Sequence, residues 1–406
     1  MISELKIRNF KSLESVDLKL GHFNLLVGAN ASGKSNFLDA LRFLQGVGNG
    51  LSIDEVLNGR PSSTTSLKWD GIRGGSKLAG FRTRNGKIAE EVSFKVQFTK
   101  NAIPILSGDT LSYDLSFSPA DGTIQSEHLS TPKVFIYEKG KLVRTEPGST
   151  GFVVAPTVGQ AFNSSLFVAI SESRIEPQDP IKEAFARDVA SHLFNMQNLN
   201  PDPAVLRQYS KMFANRLGEQ GENFPAVVRS IEQAGSKSVI LEWLKELRPD
   251  EVDDIRAVEG ANNDLLFFLK ESDNLFPATV LSDGTLRFIA LAAAFFQPSM
   301  PKVLVIEEIE KGLHPSRLRL LLELMRSQSM RTGTQVFATT HSPTLLSWLT
   351  EEDRKTTFVC TRDAESGATK MRSLAEVPRL EELIQKKYNL DQLFEEGWLE
   401  SVLHES

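Results

Sequence analysis

The chain has 406 residues, 40% hydrophobic and 24% charged, an ordinary globular composition with enough length for a large core or two lobes. Its formal net charge of -6 excludes a protein that coats nucleic acid through overall positive charge, so any such contact must come from a local basic patch. One cysteine, Cys360, rules out an internal disulfide framework and suits a reducing cytoplasm. Its setting, Thr356-Thr-Phe-Val-Cys-Thr361, reads as a buried strand carrying a structural thiol. The segment Met1–Ile7 has no basic region followed by an apolar run, and the longest apolar run, Phe288–Phe296, is too short to span a bilayer. A cytoplasmic protein is expected, neither secreted nor integral to a membrane.

In chain order, Leu5 and Ile7 alternate with Lys6 and Arg8, and Val16, Leu18 and Leu20 form a second alternating run, so two half-buried strands open the chain. Phe23–Val27 is a short apolar run suited to a central strand, and a glycine-rich turn starts at Gly28. Phe37, Leu41 and Leu44 then recur at helical spacing, with Gly46 as the expected stop. Residues 50–170 hold short alternating runs such as Val92–Phe98, which predict an antiparallel β lobe. Helical patterns over Ile181–Phe194, Leu206–Leu217 and Val239–Leu247 predict a helical insertion, with no heptad run long enough for an extended coiled coil. From about 278 an α/β pattern returns: an apolar helix over Leu286–Phe296, a strand over Lys302–Ile306, a helix with Leu318, Leu321, Leu322 and Met325 on one face, and a strand over Gln335–Thr340.

The segment Gly28-Ala29-Asn30-Ala31-Ser32-Gly33-Lys34-Ser35, followed by Asn36, matches the phosphate-binding P-loop. Its glycines let backbone N–H groups point inward at phosphates, Lys34 adds a point charge, and the Ser35 hydroxyl suits Mg2+. Glu307 and Glu308 follow an apolar strand directly, where a metal ligand (Glu307) and a base that polarises the attacking water (Glu308) are needed. Ser282 and Gly284, in Leu281-Ser-Asp-Gly-Thr285, open the apolar helix and suit a second anion site; Ser282 or Asp283 would equally serve as a plain helix cap. Asp283 would repel a triphosphate unless it points away. His341, at the end of a strand, can hydrogen-bond a γ-phosphate and sense its loss, and the other histidines lack metal-ligand spacing.

Taken in order, Arg8-Asn-Phe-Lys-Ser12, the P-loop, Leu281–Thr285, Ile306-Glu-Glu-Ile-Glu310 with Gly312-Leu-His-Pro315, and Thr340-His-Ser-Pro343 resemble the ABC-type P-loop ATPases of the RecF, SMC and OLD-nuclease group. The resemblance implies an α/β ATPase head that binds ATP and Mg2+. It assigns metal binding to Ser35 and Glu307, catalysis to Glu308 with Lys34, and a switch role to His341. It also implies a homodimer, because the signature Ser282 and Gly284 would reach ATP held by the opposite subunit. Expected units are residues 1–170 (first part of the core, with the β lobe), 171–260 (helical insertion), 261–350 (second part of the core) and 351–406 (a strand and helical tail).

Two departures stand out: Glu307 replaces the usual Asp, and Asp283 stands where transporter ATPases commonly have Gly. The family's Q-loop is left open among Gln97, Gln125 and Gln160. Residues 342–406 are short for the nuclease domain of OLD proteins and lack its acidic pattern, so a separate nuclease or effector subunit in anti-phage defence is the implied partner. A RecF-like repair ATPase and a nucleotide-gated scaffold are the alternatives. The acidic tail over Leu390–Leu403 would be a packed terminus or a docking helix. Lys6, Arg8, Lys11, Arg82, Arg84 and Lys87 are candidates for a DNA contact or for an ordinary solvated face.

Overall fold

A computed structural model describes residues 1–62, 68–99, 111–138, 141–153, 188–247, 252–272, 274–386 and 388–404. The two opening strands form as expected. β1 (Ile2–Phe10) and β2 (Leu13–Lys19) pair antiparallel, with Leu5 opposite Leu18 and Ile7 opposite Val16. β3 (Phe23–Val27) is buried along its whole length and leads through the P-loop into α1 (Lys34–Gly48). β4 (Val92–Phe98), β5 (Leu111–Phe117), β6 (Ile124–Glu138) and β7 (Lys141–Val153) extend the opening pair into one antiparallel sheet, ordered β2-β1-β4-β5-β6-β7. Alternation turns Val92, Phe94, Val96 and Phe98 inward, and Phe94 stacks on Phe43 of α1 with ring centroids 4.9 Å apart.

Gly46 does not end α1. The helix continues to Gly48, and a Cβ on Gly46 would lie 2.8 Å from Val56 of α2 (Ile53–Asn58), so this glycine serves close packing.

A second sheet carries the site. Its order is β16-β15-β3-β14-β13-β8, with β8 (Met196–Leu199), β13 (Val303–Ile306), β14 (Gln335–Thr340) and β15 (Thr357–Arg362) parallel to β3, and β16 (Thr369–Ser373) antiparallel at the edge. Alternate residues serve two cores. Leu26, Val305, Phe337 and Cys360 pack with α1 and the antiparallel sheet. Leu25, Leu304, Ile306 and Ala338 pack with the helices of the other face. A parallel sheet covered on both sides needs such continuous apolar strands.

The segment expected as a helical insertion is mixed. Residues 171–187 lie outside the described residues, and residues 188–194 are helical. β8 follows and enters the core sheet beside β13, an all-backbone role that side-chain periodicity over four residues cannot announce. The expected helix over Leu206–Leu217 is mostly absent. A short helix ends at Leu206, and β9 (Ser210–Lys211) pairs with the later strand β11 (Asp264–Glu271). α3 (Phe224–Gln233) and α4 (Lys237–Leu247) follow. β10 (Asp254–Glu259), β11 (Asp264–Glu271) and β12 (Asn274–Pro277) then build a small antiparallel sheet.

α5 (Asp283–Ala294) is buried all round from Gly284 onward, and α6 (Pro315–Thr332) starts at a proline behind the His314 cap. The tail helices α7 (Leu380–Gln385), α8 (Leu390–Glu395) and α9 (Trp398–His404) pack on the body: Leu380, Leu390, Leu393 and Leu399 join its core. Of the two readings of the tail, the packed terminus is the one observed.

Candidate functional site

Parallel strands deliver their C-terminal ends to one edge. Val27 lies opposite Thr340 and Ile306 opposite Ala338, so Gly28, Glu307 and His341 leave adjacent strands on the same side. The P-loop glycines are sterically required. A Cβ on Gly28 would sit 2.2 Å from the Cys360 carbonyl oxygen, and one on Gly33 would sit 1.9 Å from Thr369 Oγ1. Gly33 also has φ 104° and Ala31 φ 65°, the left-handed turns that curl the loop. Lys34 Nζ donates to the Gly28 and Ala29 carbonyls at 2.6 and 2.8 Å, curling over the loop. Asn30, Ala31 and Ser35 are exposed, whereas Ser32 is buried and its hydroxyl has no hydrogen-bond partner among the described residues. The Asn36 amide donates to Ser12 Oγ at 2.6 Å, tying α1 to the turn after β1.

Glu307 is half-buried, and burial pushes its carboxyl up from the usual range against the opposing pull of Arg73, with Asp39, Glu219 and Glu308 adding to the rise. Arg73 bridges this corner. It donates to the Ser35 carbonyl at 2.7 Å and to buried Asp39 at 2.9 Å, and it lies 3.5 Å from Glu307. Lys11 also pairs with Asp39. Glu308 is exposed and non-glycine, yet it sits at φ 48°. Such a conformation costs about 1–3 kcal/mol and persists only when surroundings over-determine it. Here Thr339 Oγ1 accepts from the Glu308 N–H at 2.9 Å, and the Glu308 carbonyl accepts from Arg287 and from the Lys311 N–H. Glu310 accepts from the His341 N–H at 2.8 Å and lies 2.9 Å from Nδ1, fixing the imidazole.

Ser282 and Gly284 form a separate group at the start of α5. Ser282 Oγ caps the helix by accepting from the Thr285 N–H, and Gly284 abuts the Gly312 carbonyl, 2.5 Å from where a Cβ would be. Among the described residues no hydrogen bond joins this group to the P-loop. Asp283 is paired within the chain: Arg207 donates to it at 2.5 Å and to the Leu281 carbonyl at 2.8 Å.

These residues fit a magnesium nucleotide. The orphaned Ser32 hydroxyl lacks what a phosphate oxygen would supply, and Glu307, whose charged form burial and the nearby Asp39, Glu219 and Glu308 disfavour, would be held ionised by a divalent cation. Ser35 and Glu307 could hold the metal; Lys34 and the loop N–H groups could hold phosphates. A cavity of about 760 Å³ beside Glu307 is lined by Asp39, Arg42, Arg73, Asn200 and Glu219 among others.

Sequence reasoning missed Asp39, Arg73, Arg287, Glu310 and Thr339. Arg287 had a signal, as a lone charge inside an apolar helix; Arg73, in a glycine-rich loop, had none. Two Q-loop candidates do not reach this edge: Gln97 lies on β4 opposite Glu4, and Gln125 donates to the Glu90 carbonyl; the third, Gln160, lies outside the described residues. Cys360 is fully buried with its thiol pushed up to about 12, as a structural residue should be.

Residues 23–133 and 174–347 match the family described as "AAA domain, putative AbiEii toxin, Type IV TA system". An ATP/GTP phosphatase of Helicobacter pylori is 23% identical over 379 residues, covering 88% of this chain and 90% of that protein. The DNA replication and repair protein RecF of Glaesserella parasuis is 43% identical over 60 residues, only 14% of this chain and 16% of that protein. Among solved structures, an Smc head bound to the C-winged helix domain of ScpA aligns with TM-score 0.52 at 16% identity, over 94% of this chain and 99% of that one. A second, the Smc head with an extended coiled coil bound to the C-terminal domain of ScpA, derived from Pyrococcus furiosus, aligns with TM-score 0.51 at 14% identity, over 95% and 99%. At these identities the likeness concerns the fold.

Proposed function

The chain belongs to this AAA-domain family, within the ABC-type P-loop ATPases of the RecF- and SMC-like group, and from that premise we propose that it hydrolyses ATP at a composite site shared by two copies of itself. The observation that carries the reading is Glu308: an exposed carboxylate held in a strained backbone conformation, one strand away from the P-loop edge. Strain retained at such a point suits a base that must face an attacking water. Lys34, the loop from Gly28 to Ser35 and Asn36 bind and orient the triphosphate. Ser35 and Glu307 would hold Mg2+, which would supply charge neutralisation at the phosphates. Glu308 takes up the proton of the attacking water, and His341, oriented by Glu310, contacts the γ-phosphate end and registers its departure.

Ser282 and Gly284 complete the site of the opposite copy. Among the described residues no hydrogen bond ties them to the P-loop of their own chain, which supports a role toward a nucleotide held by a partner. The ATP-bound dimer senses DNA or a partner protein and controls a separate nuclease in anti-phage defence, in the cytoplasm. Among the described residues no helix is long and apolar enough to cross a membrane. The 60-residue RecF likeness favours a second reading, a repair ATPase without a nuclease partner.

The test is ATP hydrolysis by the purified chain, with and without duplex DNA, against Lys34→Ala and Glu308→Gln. Turnover abolished in both variants, with ATP still bound by Glu308→Gln, supports the ATPase reading. Bound ATP without turnover in the native chain would replace it with a nucleotide-gated scaffold.

A further inference from the structure

The basic residues singled out in the sequence separate into two kinds. Lys6 pairs with Glu4 at 3.1 Å, Arg8 with Asp17 at 2.6 Å, and Lys11 with buried Asp39. Those charges are already matched. Arg82 and Arg84 instead line a cleft of about 430 Å³, facing Arg362, Asp363, Ser366 and Gly367.

Two tight turns make its walls. One spans residues 81–89: Arg82 bridges Ile88, and the Thr83 N–H donates to the Lys87 carbonyl at 3.0 Å. The exposed tip carries Arg84 and Lys87. The other turn joins β15 to β16, where the Gly367 N–H donates to the Asp363 carbonyl at 2.9 Å. Arg82 donates to the Lys77 carbonyl at 3.0 Å and Arg362 to the Gly367 carbonyl at 3.2 Å, hydrogen bonds that position each guanidinium without neutralising it. The carboxylate lining the cleft, Asp363, accepts from the Ser366 N–H at 2.7 Å and hydroxyl at 2.9 Å, and pairs with Lys370 at 3.3 Å. Three guanidinium groups therefore meet at a cleft whose acid, among the described residues, is already matched. Planar guanidinium forks are suited to phosphate oxygens, which they bind through paired N–H donors.

The second wall also touches the nucleotide site. Thr369, at the end of the same turn, fills the space above Gly33, shares a 2.7 Å hydrogen bond between its hydroxyl and that of Ser12, and donates its N–H to the Ser12 carbonyl at 2.7 Å. Arg82, Arg362 and Gly367 are shared with a neighbouring cavity of about 340 Å³ that Ser12, Asn36 and Arg73 line.

We propose that the cleft between residues 81–89 and the β15–β16 turn holds the phosphodiester backbone of a nucleic acid, and that Thr369 passes its occupancy to the P-loop through Gly33. The inference rests on the DNA-sensing part of the reading above and places that interaction at a defined site. Backbone binding of this kind is sequence-independent and weakens with salt.

The test uses the full chain and a fluorescein-labelled DNA duplex of about 20 base pairs, with anisotropy read over a salt series. Arg84→Glu and Lys87→Glu should each weaken binding about tenfold or more and lower the salt slope by about one for each phosphate no longer neutralised, with KM for ATP within about twofold of native. Lys6→Glu, on the sheet face, should leave duplex affinity unchanged. Thr369→Val should keep duplex affinity but lose the effect of duplex on KM for ATP. Single-stranded DNA and RNA of the same length identify the preferred form. Equal duplex affinity in native, Arg84→Glu and Lys87→Glu chains overturns the site, as does a native chain that binds none of the three nucleic acids. Either result leaves the ATPase reading standing if the same preparations hydrolyse ATP and Lys34→Ala does not.

Discussion

The guanidinium of Arg287 donates to the backbone carbonyl of Glu308 at 3.2 Å, linking the helix that begins with the signature motif to the strained residue proposed as the base. Arg287 is 1% exposed and also donates to the carbonyls of Glu307 and Pro201 and to the Asn200 side chain, at 3.1, 2.6 and 3.2 Å. It fastens both carboxylate-bearing residues to α5 by their backbone. Replacing it with Met leaves those carbonyls without this donor, at about 1–3 kcal/mol for each uncompensated group. Arg287→Met should lower kcat about tenfold or more with KM for ATP little changed, because the loss falls on the geometry of Glu308. Urea denaturation of the same variant should give a lower midpoint. An unchanged kcat at full folding would show that Glu308 is held without it.

Glu308→Gln keeps size and removes the proposed base. Steady-state hydrolysis should fall by about two to four orders of magnitude, the usual contribution of a general base. With ATP present, light scattering should then report a dimer that the native chain forms only transiently. A monomer under these conditions would count against the composite site.

Gly33→Ala asks for a methyl where Thr369 Oγ1 already lies, 1.9 Å from the ideal Cβ, at φ 104°. Steric overlap and backbone strain add, and strain alone is about 1–3 kcal/mol. Nucleotide affinity should drop tenfold or more, read by equilibrium binding of a fluorescent ATP analogue. Thr369→Ser removes the methyl that also crowds Gly33 and should recover part of that loss in the double variant.

His192 gives a pH dependence of stability. It is buried edge-on to Phe98, and burial, with the N-terminal amine and Lys302 adding, lowers it from 6.5 to about 4. Its folded value lies below the unfolded one, so the unfolded chain binds the proton first. Stability from this group is full above about pH 6.5 and falls as pH drops toward 4, by roughly 3 kcal/mol in all. His192→Gln should flatten that part of the profile, seen as a smaller difference in urea midpoint between pH 7 and pH 5 than in the native chain.

Glu310 orients His341 through two interactions, with the main-chain N–H and with Nδ1. Glu310→Gln keeps one acceptor and loses the charge beside the imidazole. It should reduce kcat several-fold with KM for ATP little changed, because the loss falls on the placement of the ring. A kcat identical to native would show that the ring is positioned by other groups.

The chain alone determined where the loop and the two carboxylates stand. A P-loop is eight contiguous residues between an apolar strand and an amphipathic helix, and Glu307 and Glu308 directly follow a second strand, so short-range pattern suffices to place them. The buried cysteine and the packed helices at 283–294 and 315–332 were legible for the same reason. Only the tertiary structure decided which side chains support them. Asp39 meets Arg73 across 34 positions of sequence, and Arg287 meets Glu308 across 21. β8 joins the core sheet through backbone hydrogen bonds that no side-chain pattern encodes. Gly46, which reads as a helix stop, lies inside the helix because a neighbouring valine needs the space. Periodicity records which face of an element is buried; which residue lies against it depends on how distant segments pack, and that is fixed when the sheets and helices close around a common core.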